Sequence, residues 1–212
     1  MPFFNWIDEL PEADRQVVQA RMKVVCYDHG ELIYRKGQQG SAFYQVKAGQ
    51  VRLCNVSRSG KQLLYRVFRE GECFGDVSLI DGLPRYHNAT AFGRCELWVM
   101  HKTDFDLLRQ SSPAMNAKLL EFMCFRSRIM FEYFEDASML SLEKRLARRL
   151  IELDDNGKPI ILSQTDLAQM MGASRQAIGN LLHEWQREQL ISLHYRKLNV
   201  LNSDLLLAIT ET

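Results

Sequence analysis

Between Val24 and Met100 short apolar or alternating runs recur, and glycine punctuates them throughout. The runs are Val24–Tyr27, Leu32–Tyr34, Phe43–Lys47, Val51–Val56, Leu63–Phe68 and Glu96–Met100, set among Gly30, Gly37, Gly40, Gly49, Gly60, Gly71, Gly75, Gly82 and Gly93. Strands separated by glycine turns at this spacing predict an antiparallel barrel or jelly roll. Ala48-Gly49-Gln50 and Ser59-Gly60-Lys61 are read as hairpin turns, because glycine adopts positive φ without steric cost. Ahead of the roll, Asn5 to Met22 predicts a short helix through Ile7, Leu10, Val17 and Val18, with Pro11 interrupting it.

After a short helix at Thr103–Gln110 comes Pro113, placed to open a new helix. The stretch Ala114–Glu135 has no glycine or proline and carries two adjacent apolar rows. One is Met115, Leu119, Phe122, Ile129 and Tyr133, interrupted by Arg126. The other is Leu120, Met123, Met130, Phe134 and Ala137, interrupted by Ser127. Both keep the alternating four-and-three spacing of a coiled-coil seam. Two rows imply two partners, the roll for one and a second subunit for the other; a core helix within a monomer is the plainer alternative.

Ser141 then caps a helix reaching about Asp154, with Leu142, Leu146, Leu150 and Leu153 on one side, and Asp154-Asp155-Asn156-Gly157 turns the chain. Ser163 and Asp166 have capping-box spacing at the start of a helix through Met171. Gly172-Ala173 makes a turn, and Ser174 caps a helix from Arg175 to about Glu188. Leu167, Met171, Ile178, Leu181, Leu182 and Trp185 can form a shared core, with Ala168 small where the helices approach. These are the constraints of a helix-turn-helix. Leu190–Leu193 and Leu198–Leu201 then flank His194-Tyr195-Arg196-Lys197, which reads as a two-stranded wing with a basic tip. At the exposed start of the second helix, Arg175 can bond guanine bidentately and Gln176 can bond adenine. The partner this arrangement fits is double-stranded DNA.

Charge does not announce such a partner. The formal net charge is +1, and from Ser138 onward nine basic side chains face nine acidic ones, so positive charge must be gathered locally. No apolar run reaches the roughly 18 residues a membrane helix needs, and the start Met1-Pro2-Phe3-Phe4-Asn5-Trp6 lacks the form of a signal peptide. A cytoplasmic protein without membrane contact is expected. Cys26, Cys54, Cys73, Cys95 and Cys124 are spread out, which fits free thiols, mostly buried, and no zinc ribbon. His29, His87, His101, His183 and His194 are scattered, with no pair at metal spacing. Neither a metal site nor a nucleophile–base arrangement is found, so no catalytic residues and no enzyme activity are expected.

Over nearly its whole length the sequence resembles the cyclic-AMP receptor protein/fumarate-nitrate regulator (Crp–Fnr) family of bacterial transcription factors. The likeness rests on Gly172-Ala173-Ser174-Arg175-Gln176-Ala177-Ile178-Gly179 and on Gly71-Glu72-Cys73-Phe74-Gly75-Asp76-Val77-Ser78-Leu79-Ile80-Asp81-Gly82, which resembles the family's phosphate-binding cassette. It implies an α+β fold: an N-terminal β-roll sensor over residues 1–112, a dimerisation helix over 113–137, and a C-terminal winged helix-turn-helix over 138–212. The implied base readers are Arg175, Gln176 and Asn180, with Ser163, Thr165, Ser174 and His183 for phosphate. Where the family commonly has Arg, Glu and Arg, this chain has Arg175, Gln176 and Asn180, so its half-site should differ. The implied partners are a second copy, DNA and RNA polymerase.

The effector pocket departs from the pattern of cyclic-nucleotide binders. Gly75-Asp76 stands for their Gly-Glu, and Tyr86-His87 for their Arg-Ser. Arg85 lies one residue early and can serve only if the loop shifts, and Met130-Phe131 align with the pair that meets adenine. A charged phosphate needs paired donors, so the roll is expected to be inherited with its nucleotide chemistry lost or changed. No cofactor is implied, and the effector, if there is one, stays open. His87 is read as an exposed loop histidine and Cys73 as a small core cysteine. A cyclic-nucleotide-binding regulatory subunit of another system is the alternative function.

Overall fold

The computed structural model describes residues 4–155 and 157–211. Two compact units emerge, one running to Arg128 and the other starting at Ile129, so the boundary falls inside a helix. No helix among the described residues is long and apolar enough to cross a membrane.

The first unit is built on a six-stranded antiparallel sheet. Its strands are β1 (Lys23–Tyr27), β2 (Leu32–Tyr34), β3 (Ala42–Val56), β4 (Gln62–Phe68), β5 (Cys73–Phe74) and β6 (Asn88–His101). β3 and β6 form the spine: β6 also pairs with β1 and β2, and β3 with β4 and β5. Alternation along these strands divides the core in two. Tyr44, Phe74 and Val99 point into the roll with Val51, Leu53, Phe68 and Leu97. Their neighbours Phe43, Cys73 and Met100 point the other way, onto a helical layer.

That layer contains α1 (Glu12–Ala20), α3 (Lys102–Ser111) and the start of α4 (Pro113–Met139), while α2 (Val77–Ile80) is a single turn after β5. The N-terminal helix is shorter than the apolar pattern predicts. Pro11 takes the N-cap position at φ −52° and ψ 145°, and the chain before it forms turns. Asn5 Oδ1 accepts from the Ile7 N–H at 3.1 Å, which lets Trp6, Ile7 and Leu10 bury without a helix. On α4 the first apolar row is inward: Met115, Leu119, Phe122 and Ile129 are buried. The second row is mostly outward, with Leu120, Met130 and Phe134 exposed and Met123 half-buried.

Further sequence expectations fail in this unit. Ala48-Gly49-Gln50 is not a hairpin turn, because β3 continues through it. β6 runs opposite the whole segment, pairing Ala48 with Glu96 and Gln50 with Phe92, and the register shifts there mark a bulge. Ser59-Gly60-Lys61, by contrast, does connect β3 to its antiparallel partner β4. The cysteines are free but not mostly buried: Cys73 and Cys95 are, Cys54 is half-buried, and Cys26 and Cys124 are exposed. Cys26 lies on edge strand β1, and Cys124 lies on the outer side of α4.

The second unit holds α5 (Leu142–Leu153), α6 (Gln164–Met171), α7 (Arg175–Arg187), β7 (Ile191–His194), β8 (Lys197–Val200) and α8 (Ser203–Glu211). Ser141 caps α5 by accepting from the Lys144 N–H. The turn that follows places Gly157 at φ 77°, its N–H donating to Asp154 Oδ1; Asn156 lies outside the described residues. The wing is tighter than expected. His194 pairs with Lys197, leaving Tyr195-Arg196 as a two-residue turn with Arg196 at φ 54°. α8 follows the wing and packs on α5 with Leu206 fully buried.

Gly49 sits at φ 86°, and a Cβ there would lie 2.5 Å from the Arg94 carbonyl oxygen. Gly60 has a similar φ of 80° but open space around it. Gly49→Ala should therefore lower unfolding stability by about 2 kcal/mol or more, and Gly60→Ala by about 1 kcal/mol. Urea unfolding of the two variants measures the difference.

Candidate nucleic-acid interface and sensor pocket

The geometry of the helix-turn-helix follows from its caps. Ser163 accepts from the Asp166 N–H at 3.1 Å, while Asp166 Oδ2 accepts from both the Ser163 N–H and its hydroxyl at 2.8 Å. The box starts α6, and Gly172 at φ 66° ends it. Ser174 then starts α7 by accepting from the Ala177 N–H at 3.1 Å. Ile178, Gly179, Leu182 and Trp185 form the buried side of α7 against Leu167, Ala168 and Met171 of α6. At Gly179 a Cβ would come 3.3 Å from Gln164 Oε1, so a small residue suits the crossing.

Burying that side leaves Arg175, Gln176, Asn180 and His183 exposed. Thr165 and Ser174 are exposed at the helix starts, and the Ser174 hydroxyl only accepts in its cap, so its proton is free to be donated. Ser163 differs, because its proton is already given to Asp166. The wing tip adds Tyr195, Arg196 and Lys197, all exposed. One positioning residue escaped the sequence reading. Arg145 of α5 donates to the Met171 carbonyl at 3.3 Å and so holds the last turn of α6. Its spacing among four basic residues on α5 carries no signal that singles it out.

In the first unit the Arg85 guanidinium meets Gly75, while the Tyr86 and His87 rings meet each other. Asp76 is fully buried, and Arg126 of α4 donates to both its oxygens at 2.9 Å. Arg85 is also buried. Its N–H donates to the Gln38 carbonyl and its own carbonyl accepts from the Gly37 N–H, both at 2.7 Å, which turns the side chain inward. The guanidinium donates to the carbonyls of Gly75 and Ala42 and lies 4.3 Å from the centre of the Tyr34 ring. Around it Tyr34, Tyr44, Phe74 and Phe68 pack ring on ring at 5.0–6.1 Å. Met130 and Phe131 stand exposed on α4 in the other unit. Among the described residues no three His, Cys, Asp or Glu side chains gather where they could hold a metal.

His87 is not the exposed loop histidine expected, but half-buried. It meets the Tyr65 ring edge-on at 4.3 Å and the Tyr86 ring at 4.9 Å. Burial, then the positive charges of Arg126 and Lys36, push its pKa down to about 4. It is therefore neutral near pH 7 and supplies no charge to a phosphate.

A histidine whose pKa falls on folding makes the unfolded chain the stronger proton binder between the two values. Stability should thus rise with pH from about 4 to the unfolded value near 6.5 and then level off. His87→Asn should flatten the His87 part of that slope. Melting temperatures of both proteins between pH 4.5 and pH 7.5, in the same ionic strength, would reveal it; parallel curves would show that His87 titrates normally.

Comparison with known proteins matches both units. Residues 24–112 match the model of the cyclic nucleotide-binding domain, and residues 144–209 that of the Crp-like helix-turn-helix domain. The cyclic AMP receptor protein of Thermus thermophilus is 29% identical over 172 residues, covering 79% of this chain and 78% of its own. A CRP-like cAMP-activated global transcriptional regulator of Mycobacterium tuberculosis is 23% identical over 196 residues, 87% of this chain and 86% of its own. The structure of FixK2 from Bradyrhizobium japonicum shares the fold, with a TM-score of 0.80 and 18% identity over 88% of this chain and 96% of that one. A cyclic-nucleotide-binding domain followed by a Crp-like DNA-binding helix-turn-helix places the chain in the Crp–Fnr family of transcription regulators, to which it belongs.

Proposed function

We propose that the protein is a homodimeric, cytoplasmic regulator that reads a near-palindromic operator and is not switched by cyclic AMP. The observation that carries DNA reading is the capped start of α7, where Arg175, Gln176 and Asn180 stand exposed opposite a fully packed side. In this reading those three residues contact base edges. Thr165, Ser174 and His183 contact phosphate, Ser163 contributes through its cap, and the wing tip adds positive charge. RNA polymerase is the further partner expected of such a regulator. Residues 1–112 act as the sensor, 113–137 as the dimerisation helix and 138–212 as the DNA-binding part.

Support for the dimer comes from α4, where Leu120, Met130, Phe131 and Phe134 are 62–74% exposed. Contiguous apolar side chains on one helix face are costly to leave in water, and a two-fold copy covers them. Half-sites would then lie about one helical turn, 34–36 Å, apart.

Independence from cyclic AMP is supported inside the roll. The phosphate of a nucleotide needs charged donors. Arg85 is spent on two backbone carbonyls, His87 is neutral, and Tyr86 is turned outward. Its ribose needs a free carboxylate, and Asp76 is closed by Arg126. The residues present do not fit the nucleotide. The same features speak against a cyclic-nucleotide-binding subunit of another system. A ligand shifts an equilibrium only by its difference in affinity between two states, and this interior offers cyclic AMP little affinity in either.

Arg175→Ala should weaken binding to the specific operator by about 1–3 kcal/mol and binding to random DNA far less. Equal losses in titrations on the two DNAs would remove Arg175 from base reading. Millimolar cyclic AMP should leave operator affinity unchanged and give no heat of binding to the free protein in calorimetry. A tightening of about tenfold, roughly 1.4 kcal/mol, would mean that Arg85 leaves its carbonyls for the phosphate.

A further inference from the structure

Among the described residues two that are not glycine have positive φ, Gln189 at 59° and Arg196 at 54°, and both belong to the wing. Side chains rarely adopt that left-handed backbone, which glycine takes without steric cost. Gln189 lies just past the end of α7, where the Leu190 N–H donates to the Trp185 carbonyl at 2.9 Å and the chain turns into β7. Arg196 lies at the far end, second of the two residues that turn β7 into β8. Glycine or asparagine is the usual occupant of a left-handed hairpin position. Here the position carries a long cation instead.

The rest of the wing is a stiff support for that tip. β7 and β8 pair along their whole length, and Asn199 donates to Ser192 Oγ across the strands at 3.2 Å. Leu198 exchanges two backbone hydrogen bonds with Ile160, at 2.7 and 3.0 Å. The N–H groups of Leu201 and Asn202 both donate to the Leu190 carbonyl. Ile191 and Leu198 are buried, so the base of the hairpin is packed. Beyond it His194, Tyr195, Arg196 and Lys197 are all exposed, and no acidic residue occurs from Gln189 to Ser203. The Arg196 guanidinium carbon lies 5.6 Å from the centre of the Tyr195 ring, itself 87% exposed.

Strands of four residues carry the tip about 13 Å from the base of the hairpin. A helix seated in the major groove has a minor groove about half a helical turn away, roughly 17 Å. An extended arginine spans the remainder. The minor groove is about 6 Å wide, too narrow for a two-stranded ribbon but open to one side chain at its apex. A phosphate contact needs no apex and no left-handed backbone, and Lys197 beside it serves that purpose. Arginine is more weakly hydrated than lysine and is drawn to the strong negative potential of a narrow, A·T-rich minor groove. We infer that Arg196 reads the minor groove bordering each half-site and selects A·T pairs there. The inference deepens the DNA-reading function proposed above and rests on it, but on neither the dimer nor the effector.

Three duplexes test it with the full-length protein. All carry the operator that the parent selects from random DNA, and they differ only in the base pairs flanking each half-site: A·T, G·C or inosine·cytosine. Inosine·cytosine keeps the major-groove edge of G·C but lacks the guanine amino group, so its minor groove resembles that of A·T. The parent should bind the A·T and inosine flanks alike, about threefold to tenfold more tightly than G·C, the effect of one hydrogen-bonding contact. Arg196→Gly suits a φ of 54° and should melt no lower than the parent, yet lose the preference. Arg196→Lys should hold its affinity for G·C flanks and lose most of the preference. Should Arg196→Gly melt lower, Arg196→Lys carries the comparison by itself. Inosine flanks bound like G·C would overturn the inference, because the preference would then come from the major groove. So would an equal loss on all three duplexes in Arg196→Gly, which would leave Arg196 a phosphate contact. A parent that selects an operator but ignores its flanks refutes only the role of Arg196, whereas a parent that selects no sequence removes the DNA-reading function as well.

Discussion

A carboxylate with no solvent exposure needs a partner that meets both its oxygens, and for Asp76 that partner is Arg126. Stripping such a pair of its cation leaves a buried charge, at a cost of about 3–5 kcal/mol. This pair ties the turn after β5 to α4, and α4 is the helix that continues into the second unit. The same pair engages both oxygens of the buried carboxylate in the cassette segment. One interaction thus anchors the long helix to the roll and bears on what the roll can bind.

Arg85 completes that arrangement. A loop pinned at Gly37 and Gln38 turns it inward, where two carbonyls and the Tyr34 ring receive its guanidinium. Its Nε remains without a partner, so the site is not fully satisfied. Beside it the rings of Tyr34, Tyr44, Phe74 and Phe68 pack on one another. A family whose relatives are named for cyclic AMP can in this way keep its architecture while the polar groups inside are turned toward one another.

The DNA-binding part shows a similar economy. Its helix starts are set by serine caps, its turn by one left-handed glycine, and its crossing by Gly179 and Ala168. Once these are in place the exposed side of α7 is whatever the packed side leaves over. The electrostatics are local, which is why a near-neutral net charge of +1 is compatible with a basic wing tip and an arginine at the helix start.

Sequence alone determined the elements whose signals are local. The caps at Ser141, Ser163 and Ser174, the turn at Gly172, and the hairpin at Gly60 are chemistry between neighbours, and each could be read from a few residues. The row Met115, Leu119, Phe122 and Ile129 was legible as one side of a helix because helical spacing alone places those residues together, whereas its being the buried row was not. Tertiary structure decided what depends on a distant partner. Gly49 became a bulge instead of a turn because β6 runs past it, and the chain before Pro11 gave up helix to bury Trp6 and Ile7. Arg85 became an interior cation beside the Tyr34 ring, and His87 became a neutral imidazole through burial and then the positive charges of Arg126 and Lys36. The bonds of Asp76 to Arg126 and of Arg145 to Met171 join residues 50 and 26 positions apart. No local pattern encodes such pairs, since side-chain partners across a fold are chosen by where the backbone brings them.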